Sequence, residues 1–149
     1  MARMLIVGCG CRGRELGRAL RDRGDAVRGT SRGEAGRAAI EADGIEGVVA
    51  DPAVLGTLLP HLQGVTVLCW LMGTAANPVL HGERFETLLE TLVDTHVRGV
   101  VHESAGAAAI AERARATYAM PVELVASPPS DPAAWLLAAL AAVDAVLAA

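Results

Sequence analysis

The sequence predicts an α/β fold, a parallel sheet covered by helices on both faces. Two observations point to it. Short apolar runs rich in β-branched residues alternate with longer segments of helical period, as expected of strands buried on both faces and joined by crossover helices. A glycine-rich turn, Gly8-Cys9-Gly10-Cys11-Arg12-Gly13, also stands at the first junction between such a run and such a segment. The chain has 149 residues, 52% of them hydrophobic, enough to bury a core of ordinary domain size. No internal repeat or linker interrupts the alternation, so residues 1–149 read as one domain.

Residues 4–7, Met-Leu-Ile-Val, form the first strand. The turn behind it opens a helix with Leu16, Gly17 and Leu20 on one face, running to Arg23 with Gly24 as its stop. Residues 26–30 are the second strand and 33–42 a polar second helix. The third strand, 44–51, ends in Asp51, and Pro52 opens a third helix to His61. Residues 65–71 are nearly continuously apolar and make the central strand, with Trp70 in the core, followed by a loop over 72–78. A helix over 82–96 carries Phe85, Leu88, Leu89, Leu92 and Val93 on one face and Glu83, Glu86, Glu90 and Asp94 elsewhere. Strand 97–101, helix 107–118 and strand 122–125 follow. Asp131 as N-cap and Pro132 at the first position start the last helix, 132–148. That helix is apolar nearly all round. It either docks fully on the sheet or meets a second copy of the chain, giving a homodimer through residues 132–148.

All 13 basic residues are arginine; there is no lysine. Lysine Schiff-base chemistry, the lysine of a Walker loop and any Tyr-x-x-x-Lys pair are thereby excluded. Positive charge is concentrated early: residues 1–37 hold nine Arg against four acids, and the remainder four Arg against 13 acids. In a chain of net charge −4 this asymmetry fits a small anionic ligand better than a nucleic acid; a solvated basic helix face is the alternative. An aromatic content of 3% leaves few platforms for stacking single strands. Three cysteines in no framework spacing, and no signal-like apolar run at the start, point to the cytoplasm. The most apolar stretch, 133–143, is about half of a bilayer span, so no membrane partner is expected. His61, His81 and His96 share no ligand spacing with the cysteines, and no metal site is expected.

Gly8-x-Gly10-x-x-Gly13 between a strand and a helix has a physical purpose. The first glycine makes the tight turn, the second lets backbone approach a pyrophosphate, and the third lets helix and strand pack closely. The helix N-terminus then faces the phosphates, so dinucleotide binding is expected. In NAD-binding versions a carboxylate at the end of the second strand takes the ribose hydroxyls. Here that place reads Arg28-Gly29-Thr30-Ser31-Arg32. Two hydroxyls and a guanidinium fork suit a 2′-phosphate, so NADP(H) is favoured over NAD(H), with Arg12 able to reach the same phosphate from the other side. A different nucleotide in the same crevice is the alternative ligand.

The segments Leu5-Ile6-Val7-Gly8-Cys9-Gly10-x-x-Gly13-x-x-Leu16, Gly29-Thr30-Ser31-Arg32, Val49-Ala50-Asp51 and Val100-Val101-His102-Glu103-Ser104-Ala105-Gly106 resemble the atypical and extended short-chain dehydrogenase/reductases, the NAD(P)-dependent epimerase-like proteins. The resemblance covers about residues 3 to 106. It implies a three-layer, doubly wound Rossmann fold with six parallel strands in the order 3-2-1-4-5-6. It also implies Asp51 near the adenine and the stretch from Leu71 through Met72 and Gly73 along the cofactor. Such enzymes act through Tyr-x-x-x-Lys; here the one tyrosine, Tyr118, is followed four residues on by Val122. Larger members also carry a C-terminal substrate region, whereas one helix follows the last strand here.

His102 and Ser104, two apart at a strand's C-terminal end, point to one face at the sheet edge where ligands sit. Ser104 matches the family's serine or threonine position. These two are the catalytic candidates, set against a half-buried structural histidine and a polar group without its partners; Glu103 points the other way unless the strand has already turned. Cys11, near a helix N-terminus, and Cys9 fit either a redox-sensitive thiol or small side chains in a tight turn. The cofactor contacts expected are Gly8, Gly10, Cys11, Arg12, Gly13, Thr30, Ser31, Arg32, Asp51, Leu71, Met72 and Gly73. Two functions follow: a small NADP(H)-dependent oxidoreductase whose pocket a second subunit completes, or a non-catalytic dinucleotide sensor or regulatory binder.

Overall fold

The computed structural model describes residues 2–72, 82–103 and 107–149. Its strands are β1 (Arg3–Val7), β2 (Ala26–Ser31), β3 (Glu46–Val49), β4 (Val67–Trp70), β5 (Gly99–His102) and β6 (Val122–Leu124). Its helices are α1 (Cys11–Asp22), α2 (Glu34–Ala42), α3 (Glu83–Leu92), α4 (Ala108–Tyr118) and α5 (Pro132–Ala148). The strands form one sheet in the order β3-β2-β1-β4-β5-β6, and every pairing is parallel. This is a Rossmann fold, with the order reversing between β1 and β4.

Strand β1 is central because neither of its faces meets water. Met4 and Ile6 enter a cluster with Leu16 and Leu20 of α1, Ile40 of α2 and Trp135, Val143 and Val146 of α5. Leu5 and Val7 enter the opposite cluster with Leu58, with Phe85 and Leu88 of α3, and with Ala111 of α4. Alternation along one strand thus feeds two cores, and the molecule has three layers.

The long apolar α5 docks on the sheet. Trp135, Ala139, Ala142, Val143 and Val146 make its buried face, and its start is capped as expected, Asp131 Oδ1 accepting from the Ala134 N–H at 3.2 Å. The outward residues are mostly alanine, with Leu137 standing 70% exposed.

Three expectations are corrected. The helix expected over 52–61 is two short 3-10 turns, Leu55–Thr57 and Leu59–His61; Gly56 and Pro60 interrupt any α-helical ladder there, while Leu58 and Leu62 still reach the core. The helix expected to reach His96 ends at Leu92, because the Thr95 hydroxyl donates to the Leu92 carbonyl at 2.7 Å and accepts from the Val97 N–H at 3.2 Å. The third strand stops at Val49, before Asp51. Most of the loop expected over 72–78 lies outside the described residues.

Candidate functional site

All six strands point the same way, so their C-terminal ends share one edge. In an open parallel sheet the binding crevice lies outside that edge, where the strand order reverses. A cleft of about 350 Å³ opens there, lined by Gly8, Gly10, Cys11, Arg12, Gly13, Thr30, Ser31, Arg32, Leu71 and Met72 among others. Of the residues expected at the cofactor, these come together. Asp51 does not line the cleft, and Gly73 lies outside the described residues.

The three glycines of the turn have different causes. Gly8 sits at φ +82°, and a Cβ there would meet the Leu71 carbonyl oxygen and Met72 Sδ at 2.6 Å. A Cβ on Gly13 would press on Ile6 Cγ2 at 3.2 Å, so this glycine lets α1 lie close on β1. Gly10 is extended, φ −83° and ψ −153°, and a Cβ there would meet no protein atom within 4 Å. Packing and backbone explain the first and third glycines; neither explains the second.

Gly10 is also the N-cap of α1 and has no side chain to cap it. The Arg14 N–H reaches the Gly10 carbonyl at 2.8 Å. Among the described residues nothing accepts from the N–H groups of Cys11, Arg12 and Gly13. Three aligned donors at a helix start form an anion-receptive surface. The Cys9 N–H donates to the Thr30 carbonyl at 3.2 Å, tying the turn to β2.

At the end of β2, Thr30 is buried and Ser31 half-buried, its Oγ accepting from the Gly33 N–H at 3.3 Å. Gly36 on α2 makes room for that hydroxyl, since a Cβ would fall 1.9 Å from Ser31 Oγ. Arg32 is exposed at the cleft. Arg12, Arg14, Arg18, Arg21, Arg23, Arg28 and Arg37 are all in ion pairs. Arg32 has neither an ion pair nor a hydrogen bond among the described residues, a property it shares, as to ion pairs, with Arg3 at the opposite edge of the sheet.

Arg12 does not turn toward Arg32. Its Nε and Nη2 donate to the two carboxylate oxygens of Glu103 at 2.8 and 2.9 Å, and its guanidinium carbon lies 5.7 Å from the Trp135 ring centroid. Glu103 is the first residue after β5, and its side chain is 3% exposed against 28% for Arg12. The two arginines therefore face opposite ends of the cleft, so Arg12 does not reach the Arg32 end from the other side. Neither the ion pair nor the part of Trp135 was visible in the sequence; the only signal was an acid at the end of a strand.

Asp51 serves the turn after β3: its Oδ1 accepts from the Ala53 N–H at 2.9 Å, and its own N–H donates to Thr57 Oγ1 at 2.8 Å. Ala50 and Pro52 form the cleft wall there instead. Cys9 packs beneath the turn, its Sγ 2.6 Å from where a Gly29 Cβ would stand, and burial pushes its thiol pKa up to about 12. Cys69 on β4 is likewise pushed up to about 12 by burial. Cys11 is exposed, with Arg14 Nη2 at 3.5 Å from its sulfur.

His102 is fully buried, edge-on against Phe85 with ring centroids 4.4 Å apart, and it does not line the cleft. Ser104 lies outside the described residues. Tyr118 ends α4; a helix leading into a parallel strand ends at the strand's N-terminal edge, so Tyr118 stands at the side of the sheet away from the cleft. Trp70 is core, as expected. Among the described residues no cluster of His, Cys, Asp and Glu could hold a metal ion, and no helix is long and apolar enough to cross a membrane.

No family model and no curated protein matches the chain. Its fold is similar to that of solved structures. The triphenylmethane reductase of Citrobacter sp. complexed with NADP(H) is 16% identical, covering 82% of this chain and 48% of that one, with a TM-score of 0.64. The NADPH-dependent quinone oxidoreductase of Escherichia coli complexed with NADPH is 19% identical, covering 82% and 47%, TM-score 0.66. A variant UDP-glucuronic acid 4-epimerase of Bacillus cereus, complexed with a fluorinated sugar nucleotide and NAD, is 14% identical, covering 82% and 55%, TM-score 0.62. The chain spans about half the length of these proteins, and at such identities the likeness is one of fold.

Proposed function

We propose that the cleft binds a nicotinamide dinucleotide, NADP(H) in preference to NAD(H), and that the chain serves reductase-type chemistry. The observation that carries this is the turn at Gly10: a glycine demanded by neither backbone nor packing stands next to three N–H groups at the start of α1 that have no acceptor among the described residues. A pyrophosphate seated on those donors supplies the missing reason. Arg32 supports the preference for a 2′-phosphate, being a cleft guanidinium with no internal carboxylate to hold it, where NAD-binding sites carry an acid. Two of the similar structures hold NADP(H), which agrees with this choice.

A bound nicotinamide supplies or accepts hydride; the chain's part is to hold and orient it. His102 lies edge-on against Phe85 and does not line the cleft, and Tyr118 stands at the far edge, so we assign the proton donor to neither. Asp51 has a turn to hold, and we assign it only a place beside the adenine end. The solvent-facing side of α5, with Leu137 at its centre, is our choice for a homodimer contact, and the free thiols fit a reducing cytoplasm.

The test is equilibrium dialysis of NADPH with the purified chain, followed by its oxidation in the presence of a panel of quinones, aldehydes and imines. Binding with oxidation supports the reductase. Binding without oxidation across the panel converts the proposal to a dinucleotide sensor. No binding refutes both.

A further inference from the structure

We propose that Arg12, held in place by Glu103 and Trp135, is a second cofactor-recognition residue. It would take the phosphate on the nicotinamide side of the pyrophosphate, at the opposite end of the cleft from Arg32. The inference rests on the dinucleotide reading and deepens it. A guanidinium presents two forks of paired N–H donors. Glu103 occupies the side-on fork, made by Nε and one N–H of Nη2. The end-on fork, made by Nη1 and the other Nη2 hydrogen, has no acceptor among the described residues, and Arg12 lines the cleft. A phosphate takes such a fork through two oxygens.

Topology decides which phosphate. Arg32 is the first residue beyond β2 and Glu103 the first beyond β5. Those strands are three steps apart in the sheet, roughly 14 Å at the usual spacing of strands. A dinucleotide with its adenosine ribose at the end of β2 lays its other half over β4 and β5. Arg12 starts beside the donors of the turn and is drawn over β4 to meet Glu103. It therefore flanks the pyrophosphate on its nicotinamide side.

Glu103 is a positioning residue. Because its carboxylate neutralises Arg12, the pair contributes directed hydrogen bonds more than net charge. Trp135, 1% exposed, limits the guanidinium from below. The arrangement gives a chain without lysine a fixed donor set at this end of the site.

The test compares NADP+ with adenosine 2′,5′-bisphosphate, which has the adenosine half and lacks the nicotinamide-side phosphate. Arg12→Met/Glu103→Gln removes both charges together, so that the buried carboxylate is not left without its Arg12 partner, and Arg12→Lys keeps the charge but loses the fork. Both variants are expected to bind NADP+ at least tenfold more weakly than the wild type and the bisphosphate within twofold of it, whereas Arg32→Ala weakens both ligands. Wild-type affinity for NADP+ in a folded variant, or equal weakening of both ligands, would reduce Arg12 and Glu103 to a brace between α1 and β5 and overturn the proposal while leaving the dinucleotide reading intact. Failure of the wild type to bind either ligand overturns both.

Discussion

Replacing Gly8 and Gly10 by alanine separates what folding requires from what binding requires. At Gly10 the backbone is extended and a methyl meets nothing within 4 Å. Alanine is a poorer N-cap than glycine by about 0.5–1 kcal/mol, and its restriction of the unfolded chain returns about 0.4–1 kcal/mol. The two nearly cancel, so Gly10→Ala is expected to melt within a few degrees of the wild type. Gly8 differs on both counts. Its φ of +82° costs an alanine about 1–2 kcal/mol, and a Cβ at 2.6 Å from the Leu71 carbonyl oxygen forces a shift worth about 1–3 kcal/mol more. A loss of about 2–5 kcal/mol corresponds to a drop in Tm on the order of 10 °C for a chain of this size. Binding should follow the other order: a methyl at the second glycine hinders the close approach of a pyrophosphate to the turn, and NADPH affinity is expected to fall at least tenfold in the more stable variant. Differential scanning calorimetry and isothermal titration of the two variants provide the check. Gly10→Ala with wild-type affinity would refute the claim that this glycine serves a phosphate.

Arg12→Ala takes two hydrogen bonds from a carboxylate that is 3% exposed, and removing one partner of a buried pair costs up to about 3–5 kcal/mol; chemical denaturation should show a loss of stability, and most of it should return in Arg12→Met/Glu103→Gln. Native thiol labelling should modify Cys11 rapidly and Cys9 and Cys69 only on unfolding, with mass spectrometry counting one adduct and then three. The native state holds the protons of Cys9 and Cys69 to about pH 12, whereas the unfolded chain releases them near its ordinary thiol value of 9.0. Their contribution to stability is complete below pH 9 and lost as pH rises through that window. Melting temperatures between pH 8 and 11 should therefore fall less steeply in Cys9→Ala/Cys69→Ala.

What the sequence made legible is what local backbone and local pattern control. The turn from Gly8 to Gly13 could be read because the positive φ of Gly8 and the close packing of Gly13 on Ile6 are local constraints, and the glycine spacing carries them. The position of Arg32 at the cleft could be read because strand length places the end of β2 at a countable distance from the turn. Strands β1, β4 and β5 were recognisable because burial on both faces leaves nearly continuous apolar runs. Residues 52–61 read as a helix because Leu55, Leu58 and Leu59, with Leu62 just beyond, keep a helical spacing, while Gly56 and Pro60 break the ladder beneath it. Asp51 stands where the family pattern puts an acid, but its carboxylate closes a turn instead of facing the cleft. Arg12 and Glu103 are 91 residues apart, and their pairing depends on the sheet order that sets the end of β5 near the start of α1. No spacing rule along the chain reveals such a pair.

The central claim is that Arg32 reads a 2′-phosphate from a cofactor seated on the turn at Gly10. Titration calorimetry of NADPH and NADH into the wild type and Arg32→Ala tests it most directly. The account predicts that the wild type binds NADPH at least tenfold more tightly, about 1.4 kcal/mol, and that Arg32→Ala binds the two alike with its NADH affinity unchanged. Equal affinities in the wild type, or a preference that survives the loss of Arg32, would contradict it.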